Sequence, residues 1–273
     1  MAINATQNGV NGEQAIERNG TLPGETFPTK INHERPSHPN KPIVTDGPII
    51  NGRLTAVTQY EPYQLVGSPL LAPLRRLVNK AFSVSHAQTG GVVLPANIDR
   101  LRSEDEFLQN MGTDPGTFNY MITYAGTDEI IGTVGAHRYV VPVLEAVAGG
   151  GREGQRSTFA RVKAPVGGDG KAEMWELKLM ATDVSLQRQG LASYMMALTE
   201  AEVKRRFKAE ALANGGSEEQ VRLVMVLTTI KELNEAFYLR RGYVFDYETV
   251  HERGFMGSET GFTVNHMSKV LDA

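Results

Sequence analysis

The sequence predicts an α/β fold built on a mixed sheet, and three observations lead there. Segments of strand character alternate with segments of helical period along most of the chain. A strand-like run, Met174 to Thr182, passes through Gln187-Arg188-Gln189-Gly190-Leu191-Ala192 into a helix-like one. Leu223-Val224-Met225-Val226-Leu227 is a continuous apolar run, as expected of a strand buried on both faces. The resulting order is strand, helices, hairpin, strand, helix, strand, helix, hairpin.

Each element has a local reason. Residues 1–52 are rich in Asn, Gly, Pro, Thr and Glu without apolar periodicity, so they are expected to form a flexible or extended arm. The sequence leaves open whether that arm lies along the domain or reaches a second subunit in a homodimer. Residues 53–273 form the domain. Leu54 to Tyr60 is β-branched and aromatic and reads as the first strand. Leu70, Leu74, Leu77, Val78 and Ala81 recur at helical spacing over Pro69 to Ala81. Ser103, with Glu106 three residues on, starts a short helix to Met111 through a capping box. Thr117 to Tyr124 and Glu129 to Val140 form a hairpin about Gly126-Thr127-Asp128. The alternation Phe118, Tyr120, Ile122, Tyr124 fits a half-buried strand.

Residues 144–171 contain seven glycines with Arg152, Arg156, Arg161 and Lys163 among them, and are read as an insertion. A connection this long is either disordered or a flap over a substrate. Beyond Met174–Thr182, a long helix runs from Leu191 to about Asn214 with the stripe Leu191, Met195, Leu198, Ala201. Its charge run Lys204, Arg205, Arg206, Lys208 reads as a solvated face or as a surface for an acidic partner. Val221 to Ile230 is a strand, Asn234 to Arg241 a helix ended by Gly242, and Tyr243–Val250 and Thr263–Val270 the last strands.

Composition narrows the function. Apolar residues at 41%, charged residues at 22% and a net charge of −3 are ordinary for a globular chain and argue against a general nucleic-acid binder. No cysteine is present, so no disulfide, cysteine–metal site or cysteine acyl-enzyme is available. No run approaches the ~20 apolar residues of a membrane span. The N-terminal residues lack a signal-peptide core, and a cytoplasmic setting is expected. A nucleotide-binding domain is disfavoured, because neither Gly-x-x-x-x-Gly-Lys-Ser/Thr nor Gly-x-Gly-x-x-Gly occurs.

The segment Gln187-Arg188-Gln189-Gly190-Leu191-Ala192 follows a strand and opens a helix, whose free N–H groups and partial positive charge suit a pyrophosphate. It has the form Gln/Arg-x-x-Gly-x-Gly/Ala. Downstream lies Asn234-Glu235-Ala236-Phe237-Tyr238-Leu239-Arg240-Arg241-Gly242-Tyr243. In these two segments the chain resembles the GNAT N-acetyltransferase family, over Arg53 to Leu271. Tyr243 stands where the family commonly has Phe, Thr182 and Val184 where it has Val and Pro, and Gln189 where a small or basic residue is common.

The resemblance implies a mixed, mostly antiparallel sheet whose two central parallel strands, Met174–Thr182 and Val221–Ile230, splay apart. Helices flank it, and acetyl-coenzyme A, as co-substrate, enters the gap. It implies backbone contacts from Met180, Ala181 and Thr182 to the acetyl carbonyl and pantetheine. It implies a pyrophosphate held by Arg188, Gln189, Gly190, Leu191 and Ala192, with a side-chain contact from Gln187 or Arg188. Glu176 matches the general base of the histone acetyltransferase branch; it also reads as a solvated glutamate or one paired with Lys178 or Lys171. His137 and Asp183 are reserve bases. Met180 N–H is the candidate oxyanion donor. Tyr238 matches the tyrosine facing the coenzyme sulfur, or is a core tyrosine. Asn234 contacts pantetheine or caps its helix. The reaction expected is direct transfer of an acetyl group to a primary amine of a small molecule, without a metal, nucleic acid or membrane partner. A non-catalytic coenzyme A sensor or scaffold is the alternative.

Overall fold

Along β3 (Phe118–Tyr124) every residue is buried, so both faces of this strand are covered. Phe118, Tyr120 and Ile122 join one core cluster and Met121 joins another. The alternation therefore reports two cores and not the half-buried strand expected. The computed structural model describes residues 41–87, 99–112, 114–139, 158–160, 172–213, 222–255 and 258–271.

The sheet has nine strands among these residues, in the order β1-β2-β3-β4-β6-β7-β9-β8-β5. They are β1 (Ile43–Asp46), β2 (Thr55–Tyr60), β3, β4 (Ile130–Arg138), β5 (Thr158–Ala160), β6 (Ala172–Thr182), β7 (Arg222–Ile230), β8 (Val244–His251) and β9 (Phe262–Leu271). All neighbours are antiparallel except β6 and β7. The α/β mixed sheet expected from the sequence is present. Among the described residues no helix is long and apolar enough to cross a membrane.

One face of the sheet carries α1 (Pro62–Leu65), α2 (Leu71–Ala87) and α3 (Glu104–Met111). Leu74, Val78, Phe107 and Met111 pack there against Met121, Leu179 and Ala181. Ser103 starts α3 as expected, its Oγ accepting from Glu106 N at 3.1 Å, while Glu106 reaches back to the N–H of Arg102, one residue before the cap. The other face carries α4 (Leu191–Ala213) and α5 (Lys231–Leu239). Met195, Val203, Phe207, Trp175, Met225 and Tyr238 share that core.

Within the N-terminal arm read from composition, residues 43–46 are extended and pair with β2, so this part lies along the domain. The β-branched run Ile43-Val44-Thr45 suits a strand, and averaging over a polar segment hid it. Residues 1–40 lie outside the described residues. So does most of the 144–171 insertion, although β5 within it pairs with β8. On α4 the buried positions are Leu191, Met195, Met196, Thr199, Glu202, Val203 and Phe207, while Ala201 is exposed. The inward stripe contains polar residues with their own partners, which an apolar pattern passes over: Thr199 Oγ1 donates to Met195 O at 2.8 Å, and Gln59 Nε2 to Glu202 Oε1 at 2.8 Å. Within the charge run only Arg206 turns inward: it and the exposed Arg205 both bind the buried Glu202 at 2.7 Å, and Arg206 also donates to Gly116 O.

Candidate active site

β6 and β7 run parallel from Ala172↔Arg222 to Glu176↔Val226 and pair no further. β6 nevertheless continues to Thr182 and β7 to Ile230. The cause lies in β6. Opposite β4 the register steps from Thr133↔Ala181 to Gly135↔Lys178, so β6 carries one extra residue. Leu179 takes φ 49 there. The bulge also exchanges the faces of the strand. Trp175 and Leu177 point into the α4 core, whereas Leu179 and Ala181 point into the α2–α3 core. Past Glu176 the backbone edges of both strands therefore face a cleft of about 610 Å³.

Of the residues inferred from sequence, Glu176, Met180, Ala181, Thr182, Gln187, Ala192, Asn234 and Tyr238 line this cleft. Arg188, Gln189 and Gly190 are exposed on the loop at its end, and Leu191 turns its side chain into the core. Arg188 and Gly190 have φ 66 and 83, in the left-handed region. No atom lies within 4 Å of where a Gly190 Cβ would sit, so the backbone twist, not crowding by the chain, calls for glycine. Gly190 O accepts from Tyr194 N at 2.9 Å, which begins α4. The preceding N–H groups of the first turn have no acceptor within the helix, and they carry the positive end of its dipole.

Asp183, a reserve base in the sequence reading, does not line the cleft. It caps the short turn Val184–Leu186, accepting from Ser185 N and Oγ at 2.8 and 2.7 Å, with Lys80 at 3.7 Å. The Ser185 hydroxyl bond holds its carboxyl below the usual range, with a smaller contribution from Lys80. Asn234 does not cap α5, because the helix starts at Lys231 with Ile230 at the cap. Its place is in the cleft wall.

Glu176 lies at the apex, where the strands part. His137 Nε2 is 3.1 Å and Lys178 Nζ 3.3 Å from its Oε2, and its side chain is 13% exposed. The pairing with Lys178 read from the sequence is present, and His137 belongs to the same polar cluster. His137 Nδ1 is buried without a partner among the described residues. Tyr238 stands on α5 with 8% exposure. Burial raises its phenol to about 12, partly opposed by Arg100 and Arg241, so it keeps its proton at neutral pH. It packs in the core and borders the cleft. Met180 and Leu179 have no register partner on β4, and on its other edge β6 has none on β7 past Glu176.

Other cleft residues carried no signal in the sequence. Arg100, Phe82, Glu106 and Asn110 reach it from α2, α3 and the segment between them, Phe262 and Val264 from β9, and Phe255 from the turn between β8 and β9. Trp175 is fully buried and Tyr120 is core, while Tyr139 and Tyr247 lie within electrostatic reach of Glu176. Tyr247 stacks on His266 at 3.9 Å. Chemically, the cleft offers two carboxylates, a protonated phenol, strand edges unpaired past Glu176 and, at its mouth, a helix start suited to an anion.

No family model matches the chain, and no curated protein matches it. Solved structures similar to it include an acetyltransferase of the GNAT family from Streptococcus pneumoniae, 16% identical, covering 80% of this chain and 99% of that one, with a TM-score of 0.44. The GNAT domain of S. lividans PAT is 16% identical, with 84% and 97% covered and a TM-score of 0.45. Arabidopsis thaliana NAA60, solved with a bisubstrate analogue, is 13% identical, with 84% and 100% covered and a TM-score of 0.41.

Proposed function

We propose that the protein is a GNAT-type N-acetyltransferase that moves an acetyl group from acetyl-coenzyme A directly to the primary amine of a small molecule in a ternary complex. The observation that carries this reading is the parting of β6 and β7 beside the start of α4. An extended arm with amide groups fits between two unpaired strand edges, and a pyrophosphate fits the N–H groups from Arg188 to Ala192. No other part of the described molecule combines the two.

In this reading Glu176 accepts the proton that the ammonium must lose before it attacks. The amine adds to the thioester carbonyl to give a tetrahedral oxyanion. Its collapse breaks the C–S bond, and the second proton lost by nitrogen replaces the one that Tyr238 gives up. Met180 N–H faces the oxygen on which charge develops, and one such donor contributes about 3 kcal/mol. Tyr238 gives its proton to the departing sulfur. Asn234 and the main chain of Ala181 and Thr182 position the pantetheine arm.

The test joins calorimetry with coenzyme A to a thiol-release screen over amines. Binding together with thiol release supports the enzyme. Binding without release from any amine favours a sensor or scaffold, and no binding at millimolar coenzyme removes both.

A further inference from the structure

Arg100 lines the cleft and is exposed to it. Its place is built. Asn79 of α2 clamps the next residue from both sides, Leu101 N donating to Oδ1 and Nδ2 donating to Leu101 O, each at 2.9 Å. Arg75 also donates to Arg102 O at 3.1 Å. The guanidinium stands 5.5 Å from the Phe82 ring centre.

Among the described residues this cation has no salt-bridge partner. The two carboxylates of the cleft are engaged elsewhere, Glu176 with His137 and Lys178, and Glu106 with the N–H of Arg102. Crowding by the surrounding protein groups lowers the Arg100 pKa, while Tyr238 and Glu176 raise it. An arginine presents a planar fork of donors that matches a carboxylate.

Resting on the acetyltransferase reading above, we propose that Arg100 anchors the carboxylate of the acceptor, so that the substrate is an amino acid or a related zwitterion. Its ammonium then meets Glu176 while its carboxylate meets Arg100. The coenzyme's phosphates are the competing anion, but they belong at the start of α4. Six residues of strand separate Glu176 from Thr182, about 20 Å at roughly 3.3 Å per residue, and Arg100 lies within electrostatic reach of the Glu176 end.

The experiment compares matched acceptors, each amino acid against its methyl ester, in thiol release by the wild-type protein and by R100Q and R100K. Coenzyme A affinity is measured in parallel by calorimetry. The wild type should favour the free acids. R100Q should raise KM for them about 10- to 100-fold, as loss of a charge-assisted pair predicts. It should leave the esters and coenzyme affinity within about 3-fold, and R100K should recover part of the loss. An equal KM loss for acids and esters overturns the proposal. So does weakened coenzyme binding, which would place Arg100 on the coenzyme, and so does a uniform fall in kcat, which would make it a stabiliser of the departing thiolate. A wild type that turns over amines without preferring acids defeats this proposal alone. A wild type that releases no thiol with any amine defeats both this proposal and the enzyme reading.

Discussion

Single side chains carry the chemistry, and their surroundings set what each change does. Glu176→Gln keeps the shape and the contact with His137 while removing the base. It should lower kcat/KM by about 10²- to 10³-fold with coenzyme affinity unchanged. Tyr238→Phe should lower kcat by about 10²-fold, since the buried phenol holds its proton well above neutral pH. A change of less than a few-fold in either case would remove that residue from its assigned role. Glu202 shows the structural counterpart. Burial pushes its carboxyl up, but hydrogen bonds from Arg205, Gln59 and Arg206 more than offset this and hold it at about 2. Its folded-state pKa is depressed below 4.5, so its contribution is present above pH 4.5 and is lost as pH falls from there to about 2. Glu202→Gln leaves Arg206, 15% exposed, without its counter-charge. It should cost about 3 kcal/mol in chemical denaturation at pH 7 and flatten the acid limb of the stability profile.

At the scale of elements, packing decides what local pattern cannot. All strands but β1 and β5, together with α4 and the loop before it, were legible because period, glycine and residue order are local signals. Leu179 was not: its positive φ and the face exchange it causes arise from register against β4, which no spacing in Met174–Thr182 reveals. Arg100 was not, because Asn79 fixes its neighbour across 22 residues of sequence. Polar Thr199 and Glu202 were missed as core for a related reason, since their partners lie elsewhere in the fold. The closeness of α3 to β4 gives an element-scale prediction. A Cβ on Gly135 would fall 2.4 Å from Met111 Cε and 3.1 Å from Phe118 O. Gly135→Ala should therefore destabilise the protein by about 1–3 kcal/mol in urea titration. An unchanged midpoint would mean that α3 moves away without loss.

Across the whole molecule, β1 to β4 with β6 make one half of the sheet and β7, β9, β8 and β5 the other. Strand pairing between the halves consists of five register pairs. These partners are fifty positions apart in the chain. A molecule lodged beyond the last pair and bonded to both margins would supply rungs that the peptide ladder omits. Occupancy should then behave like a rivet across the seam. At a hundredfold excess over Kd it adds about 2.7 kcal/mol to unfolding. Amide exchange should slow along 177–182 and 227–230 together, while β1 to β3 keep their free-state rates. Slowing on one margin alone would mean that nothing bridges the two halves.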